Sequence, residues 1–63
     1  MTFDEFLYIA MEPTRGKRKG QHFANQLALY KHDLFQGLQA AGLDPYYRDE
    51  YVWLAIEWLK EKW

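Results

Sequence analysis

The stretch GQHFANQLALYKHDLFQGLQAAG, Gly20–Gly42, decides the fold. At 100° per residue its apolar positions Phe23, Leu27, Tyr30, Leu34, Leu38 and Ala41 fall within about 80° of one another, a helical stripe rather than the alternation of a strand. Lys31 interrupts that stripe. Asp33 followed three residues later by Gln36 has the form of a capping box, so two helices are expected, with a break near Lys31 to Asp33. Gly42 suits the left-handed residue that follows a helix, with Leu43 reaching back to Leu38 in a Schellman arrangement.

On the N-terminal side, Thr2 and Glu5 have capping-box spacing, and Phe3, Phe6, Leu7 and Ala10 share one helical stripe. Pro13 predicts the end of that helix near Met11 or Glu12, because proline lacks a donor and disfavours a helical residue before it. On the C-terminal side, Leu43-Asp44-Pro45-Tyr46-Tyr47-Arg48 has the character of an ordered connector, with Asp44 forming a side-chain turn ahead of Pro45. Asp49 is expected to cap the last helix. Val, Ile and Thr are scarce and nothing alternates for long, so strands are not expected. The sequence therefore predicts an all-α fold: a compact bundle of three to four short helices at about 2–12, 20–31, 33–41 and 49–62, forming one domain over residues 1–63.

So short a chain must bury densely to offset its conformational entropy. Three tryptophans, five tyrosines and four phenylalanines supply the apolar area. With no cysteine, disulfides and thiolate metal sites are excluded, which fits a reducing compartment and predicts a cytoplasmic protein. The acidic start is unlike a signal peptide, and no apolar run is long enough for a membrane span, so no membrane association is expected.

The last helix predicts more apolar surface than one face requires. Tyr47, Tyr51, Val52, Leu54, Ala55, Ile56, Trp58, Leu59 and Trp63 fill an arc of roughly 200°, where a core-facing helix needs about 100°. Either this helix lies at the centre of the bundle, or part of its arc meets a partner or a second copy. Trp53 stands apart, among Asp49, Glu50, Glu57, Lys60 and Glu61 on the polar side, where no core role accounts for it.

Arg18-Lys19-Gly20-Gln21, Asn25 and Leu27, followed by Leu43-Asp44-Pro45-Tyr46-Tyr47 and Asp49, resemble a pattern in small phage and bacterial proteins of uncharacterised role. That pattern is basic-Gly-Gln-x-x-x-Asn-x-Leu, then Leu-Asp-Pro-aromatic-Tyr-x-Asp, and the resemblance runs from the basic segment to the start of the last helix. It implies a phage-type accessory protein in the host cytoplasm, with no activity to carry over. Gln21 and Asn25 would be its recurring polar pair. By helical projection both face away from Leu27, toward solvent; the resemblance implies instead that one is buried and bonded to a backbone group near Pro45. Ala41-Gly42 departs from the Arg-Gly-Thr of the pattern.

The net charge of −1 conceals an uneven distribution, since Thr14 to His32 contains Arg15, Lys17, Arg18, Lys19 and Lys31 and no acid. Arg15, Lys17, Arg18 and Lys19 precede a helix whose N-terminal donors attract anions, and His22 adds charge when protonated, so these five residues form a candidate anion-binding segment. Walker spacing and a Rossmann context are both missing, and the helix after the break offers only Gln36 and Gln39 as base readers, so nucleic-acid binding has little sequence support. His22 and His32 are too far apart along a helix to share a metal, and no nucleophile has an activating base. No metal, cofactor or catalysis is expected. The leading expectation is a non-catalytic module that binds another protein through Trp53, Glu57 and Lys60, because exposed Trp residues dominate interfaces. Anion or nucleic-acid binding through Arg15 to Lys19 and a structural homodimer are the alternatives, and Gln21, Asn25 and Asp44 are assigned structural polar roles.

Overall fold

The computed structural model describes every residue from Met1 to Trp63. Helix α1 spans Phe3–Ala10, α2 Lys19–Tyr30, α3 His32–Ala40 and α4 Val52–Lys62, with a single 3-10 turn at Asp49–Tyr51 leading into α4. There is no strand, and the fold is the all-α bundle its periodicity predicts.

The helix ends follow local chemistry. Glu5 N–H donates to Thr2 Oγ1 at 3.1 Å while Thr2 N–H donates to Glu5 Oε1 at 2.8 Å, which completes the expected capping box. The Thr2 backbone N–H, and after it the Thr2 hydroxyl, hold the Glu5 carboxyl below the usual glutamate range. Helix α1 closes at Ala10, one to two residues before the expected end at Met11 or Glu12, with Met11 N–H donating to Leu7 O at 2.9 Å. At the end of α3, Leu43 N–H reaches Leu38 O at 3.1 Å and Gly42 N–H reaches Gln39 O at 3.0 Å, with Gly42 at φ +76°: the Schellman geometry is formed. The Asp44 turn is formed as well, its Oδ1 accepting from Tyr46 N–H at 3.0 Å.

The break between α2 and α3 is tighter than expected. Only Lys31 leaves the helical region, at φ −141° and ψ 69°, and it closes one helix while opening the next. Asp33 thus lies inside the first turn of α3 and caps nothing, so the Asp33–Gln36 capping box does not form. Its carboxylate still suits a helix N-terminus electrostatically.

Phe6, Ala10, Phe23, Leu27, Leu38, Val52, Ala55 and Leu59 form one core cluster fed by all four helices. Helix α2 is its hub, packing on α1, α3, α4 and the 3-10 turn. This corrects the expectation that the last helix is central. The buried side of α4 is Val52, Ala55 and Leu59, flanked by half-buried Ile56, Trp58 and Trp63. Leu54 and Tyr47, placed in the apolar arc by projection, are 50% and 81% exposed. The connector turns Tyr47 out to solvent, and α4 needs only one face because α2 carries the central contacts.

Trp63 joins the chain ends. Its ring centroid lies 4.9 Å from that of Phe6 and 5.5 Å from that of Phe3, its Nε1–H donates to Met1 O at 3.2 Å, and the Lys31 ammonium lies 5.1 Å from its centroid.

Candidate partner-binding surface

The basic segment and the connector, far apart in sequence, meet at the N-terminus of α2. Gly20 N–H donates to Asp49 Oδ1 at 3.0 Å, Arg18 donates through Nη2 to the Tyr46 carbonyl, and Arg18 Nε lies 3.7 Å from the same Asp49 oxygen. Gln21 Nε2 donates to the Tyr46 hydroxyl at 3.3 Å. A Cβ on Gly20 would collide with the Pro45 carbonyl oxygen and lie 2.9 Å from Asp49 Oδ1, so only glycine admits this approach. Arg18, Gly20 and Gln21 on one side and Pro45, Tyr46 and Asp49 on the other therefore form one intramolecular clasp.

That clasp corrects three expectations. Asp49 does not cap its own helix: it caps α2 from a distance, because the connector lays its carboxylate beside the free Gly20 donor. Gln21 is half-buried rather than solvent-exposed, and it bonds to the Tyr46 hydroxyl, not to a backbone group near Pro45. Asn25 is half-buried beside the same face rather than exposed. Asp44 has its structural role, and its second oxygen also accepts from Gln39 Nε2 at 3.3 Å.

The anion-binding segment is divided by the same contacts. An anion approaching the start of α2 would find the Gly20 donor occupied by Asp49 and Arg18 already paired with it. His22 Nε2 lies 3.0 Å from the Ile9 carbonyl oxygen; a carbonyl only accepts, so the ring nitrogen donates and His22 ties α2 to the end of α1. Arg15 and Lys17 remain exposed and outside every ion pair, in a loop held by a left-handed Gly16 at φ +74° and by Thr14 Oγ1 donating to Lys17 O at 3.3 Å. The Gly20 donor, Arg18 and His22 are thus engaged within the chain, and Arg15, Lys17 and Lys19 are the cations of the segment outside ion pairs.

Lys19 does something the sequence did not signal. Its ammonium lies 5.3 Å from the centroid of the Trp53 ring. Trp53 remains 63% exposed, and Glu57 and Lys60, on the same exposed face of α4, are exposed with it. Lys19 and Lys17 also line an open recess of about 310 Å³, together with Ala10, Met11, Glu12, Pro13 and Thr14. Trp53, Lys19 and the recess are consecutive parts of one surface. Tyr8, 82% exposed, borders Met11, Glu12 and Pro13 from the α1 side. No helix is long and apolar enough to cross a membrane. Compared with protein-family models, curated proteins and solved structures, the chain matches none.

Proposed function

We propose that this chain is a small, non-catalytic protein-binding module that anchors another protein on Trp53, with Glu57 and Lys60 beside it on α4. The observation that carries this reading is the placement of Trp53: the largest side chain type in the molecule is left 63% exposed, with the Lys19 ammonium over its ring. The core has no need of it, since Val52, Ala55 and Leu59 seal α4 from the opposite side. An exposed indole held in place has little freedom left to lose on binding, and such aromatics supply much of the energy of protein interfaces. The phage-type accessory role implied by the sequence resemblance is compatible with this, and a cytoplasmic setting goes with it.

The test is affinity capture from a bacterial lysate with the wild-type chain, Trp53→Ala and Tyr8→Ala. A protein retained by the wild type and by Tyr8→Ala, and lost with Trp53→Ala, is the expected outcome. Equal retention by Trp53→Ala removes the anchor and the reading with it.

A further inference from the structure

We infer that the surface running from Trp53 across Lys19 to the Lys17 recess receives an acidic segment of a partner protein, one in which carboxylates flank an apolar side chain. This names the partner chemistry of the protein-binding reading and rests on it.

Three features select that occupant. First, Lys17, Lys19 and Arg15 are the cations of this region that no carboxylate neutralises, for the ion pairs of the molecule are Arg18–Asp49 and Arg48–Glu50. Second, the recess that Lys17 and Lys19 line is mixed in character, with Met11 and Pro13 offering apolar surface beside the two ammonium groups. A carboxylate at the lysines and an aliphatic side chain against Met11 and Pro13 satisfy both parts at once. Third, Lys19 joins that recess to the exposed Trp53 ring, so an extended segment crossing it meets an indole face as it leaves. Complementary charge and an aromatic anchor are the usual ingredients of such recognition.

The same surface disfavours a nucleic acid. Glu12 lines the recess, and Glu50 in the 3-10 turn and Glu57 on α4 stand three residues before and four after Trp53. A backbone with a negative charge at every nucleotide would be forced against these acids. Discrete carboxylates spaced around an apolar residue avoid them, and three free cations are few for polyanion binding.

Fluorescence anisotropy with a dye-labelled glutamate-rich peptide carrying a central leucine tests this directly. The comparison ligands are the same peptide with serine for leucine and a single-stranded oligothymidine. The leucine peptide is expected to bind more tightly than either, and Lys19→Glu, Lys17→Glu and Trp53→Ala are each expected to weaken it by about tenfold. Lys19→Glu places an acid in the first turn of α2, where the helix dipole favours it, so that variant should fold and its loss of binding reports the charge. Equal binding of the serine peptide or the oligothymidine would reduce the site to general polyanion attraction and overturn the inference. So would peptide affinity indifferent to Lys17→Glu and Lys19→Glu, or no binding at millimolar peptide. If the peptide fails while Trp53→Ala still abolishes lysate capture, the acidic-segment inference falls and the docking reading stands; if Trp53→Ala changes neither, the docking reading itself is lost.

Discussion

Gly20 and Trp53 show how differently two residues of one short chain are constrained. Gly20 has no room for a methyl group, because the Pro45 carbonyl and the Asp49 carboxylate occupy that space. Gly20→Ala must therefore push the connector away, and a loss of about 2 kcal/mol or more is expected in urea denaturation, although alanine is the better helix former. Its partner offers a finer test. Asp49→Ala leaves the Gly20 donor and Arg18 without their acceptor and should cost about 1–2 kcal/mol, whereas Asp49→Asn keeps an oxygen at the same place and should recover part of that loss. The Arg18–Asp49 ion pair adds little by itself, being about half exposed on both sides. Trp53→Ala removes an exposed ring and one exposed cation–π contact, so its melting temperature should stay close to that of the wild type; a large drop would show that the ring belongs to the core.

At the level of the element, α1 depends on its first turn. Glu5 has a depressed pKa in the folded chain, so the stabilisation it contributes is complete above the ordinary glutamate range and disappears as pH falls through the lowered folded value. Acid titration followed by amide exchange at the start of α1 should show fraying there in the wild type. Thr2→Ala should fray the same turn at neutral pH and weaken that acid dependence without removing it, since the hydroxyl is lost while the backbone N–H that holds Glu5 remains. The neighbouring elements show how a short range of sequence decides some ends and not others. The Schellman close of α3 needs only Gly42 and its near neighbours, and it was legible from them. The start of α3 has a capping pattern in Asp33 and Gln36 that goes unused, because α2 runs to Tyr30 and a single residue suffices for the turn.

Across the whole molecule, the ends of the chain meet at Trp63. Its ring packs on Phe3 and Phe6, and its indole N–H is bonded to the Met1 carbonyl. Trp63→Ala should cost about 2–3 kcal/mol, less than a fully buried tryptophan because the ring is half-buried, and should loosen α1 and α4 together in hydrogen exchange. A loss confined to the last turn of α4 would show that the termini are not energetically joined. For a chain this small, with no disulfide to brace it, such end-to-end packing is a substantial part of what holds four short helices in one cluster.

The amino-acid order alone was enough for the number and type of elements, the Thr2 and Gly42 boundaries, the Asp44 turn and the exposure of Trp53. Each depends on periodicity or on a hydrogen bond spanning a few residues, and such information is local. It was not enough to show that α2 rather than α4 is the hub, that Asp49 caps a helix other than its own, or that Lys19 rests on Trp53. Those outcomes depend on how the connector folds back against the start of α2, and no spacing along the chain encodes a contact between segments brought together only by burial of a common core. The projection of α4 failed for the same reason: a wheel ranks which residues are apolar, while the neighbours available to cover them decide that Leu54 and Tyr47 stay in water.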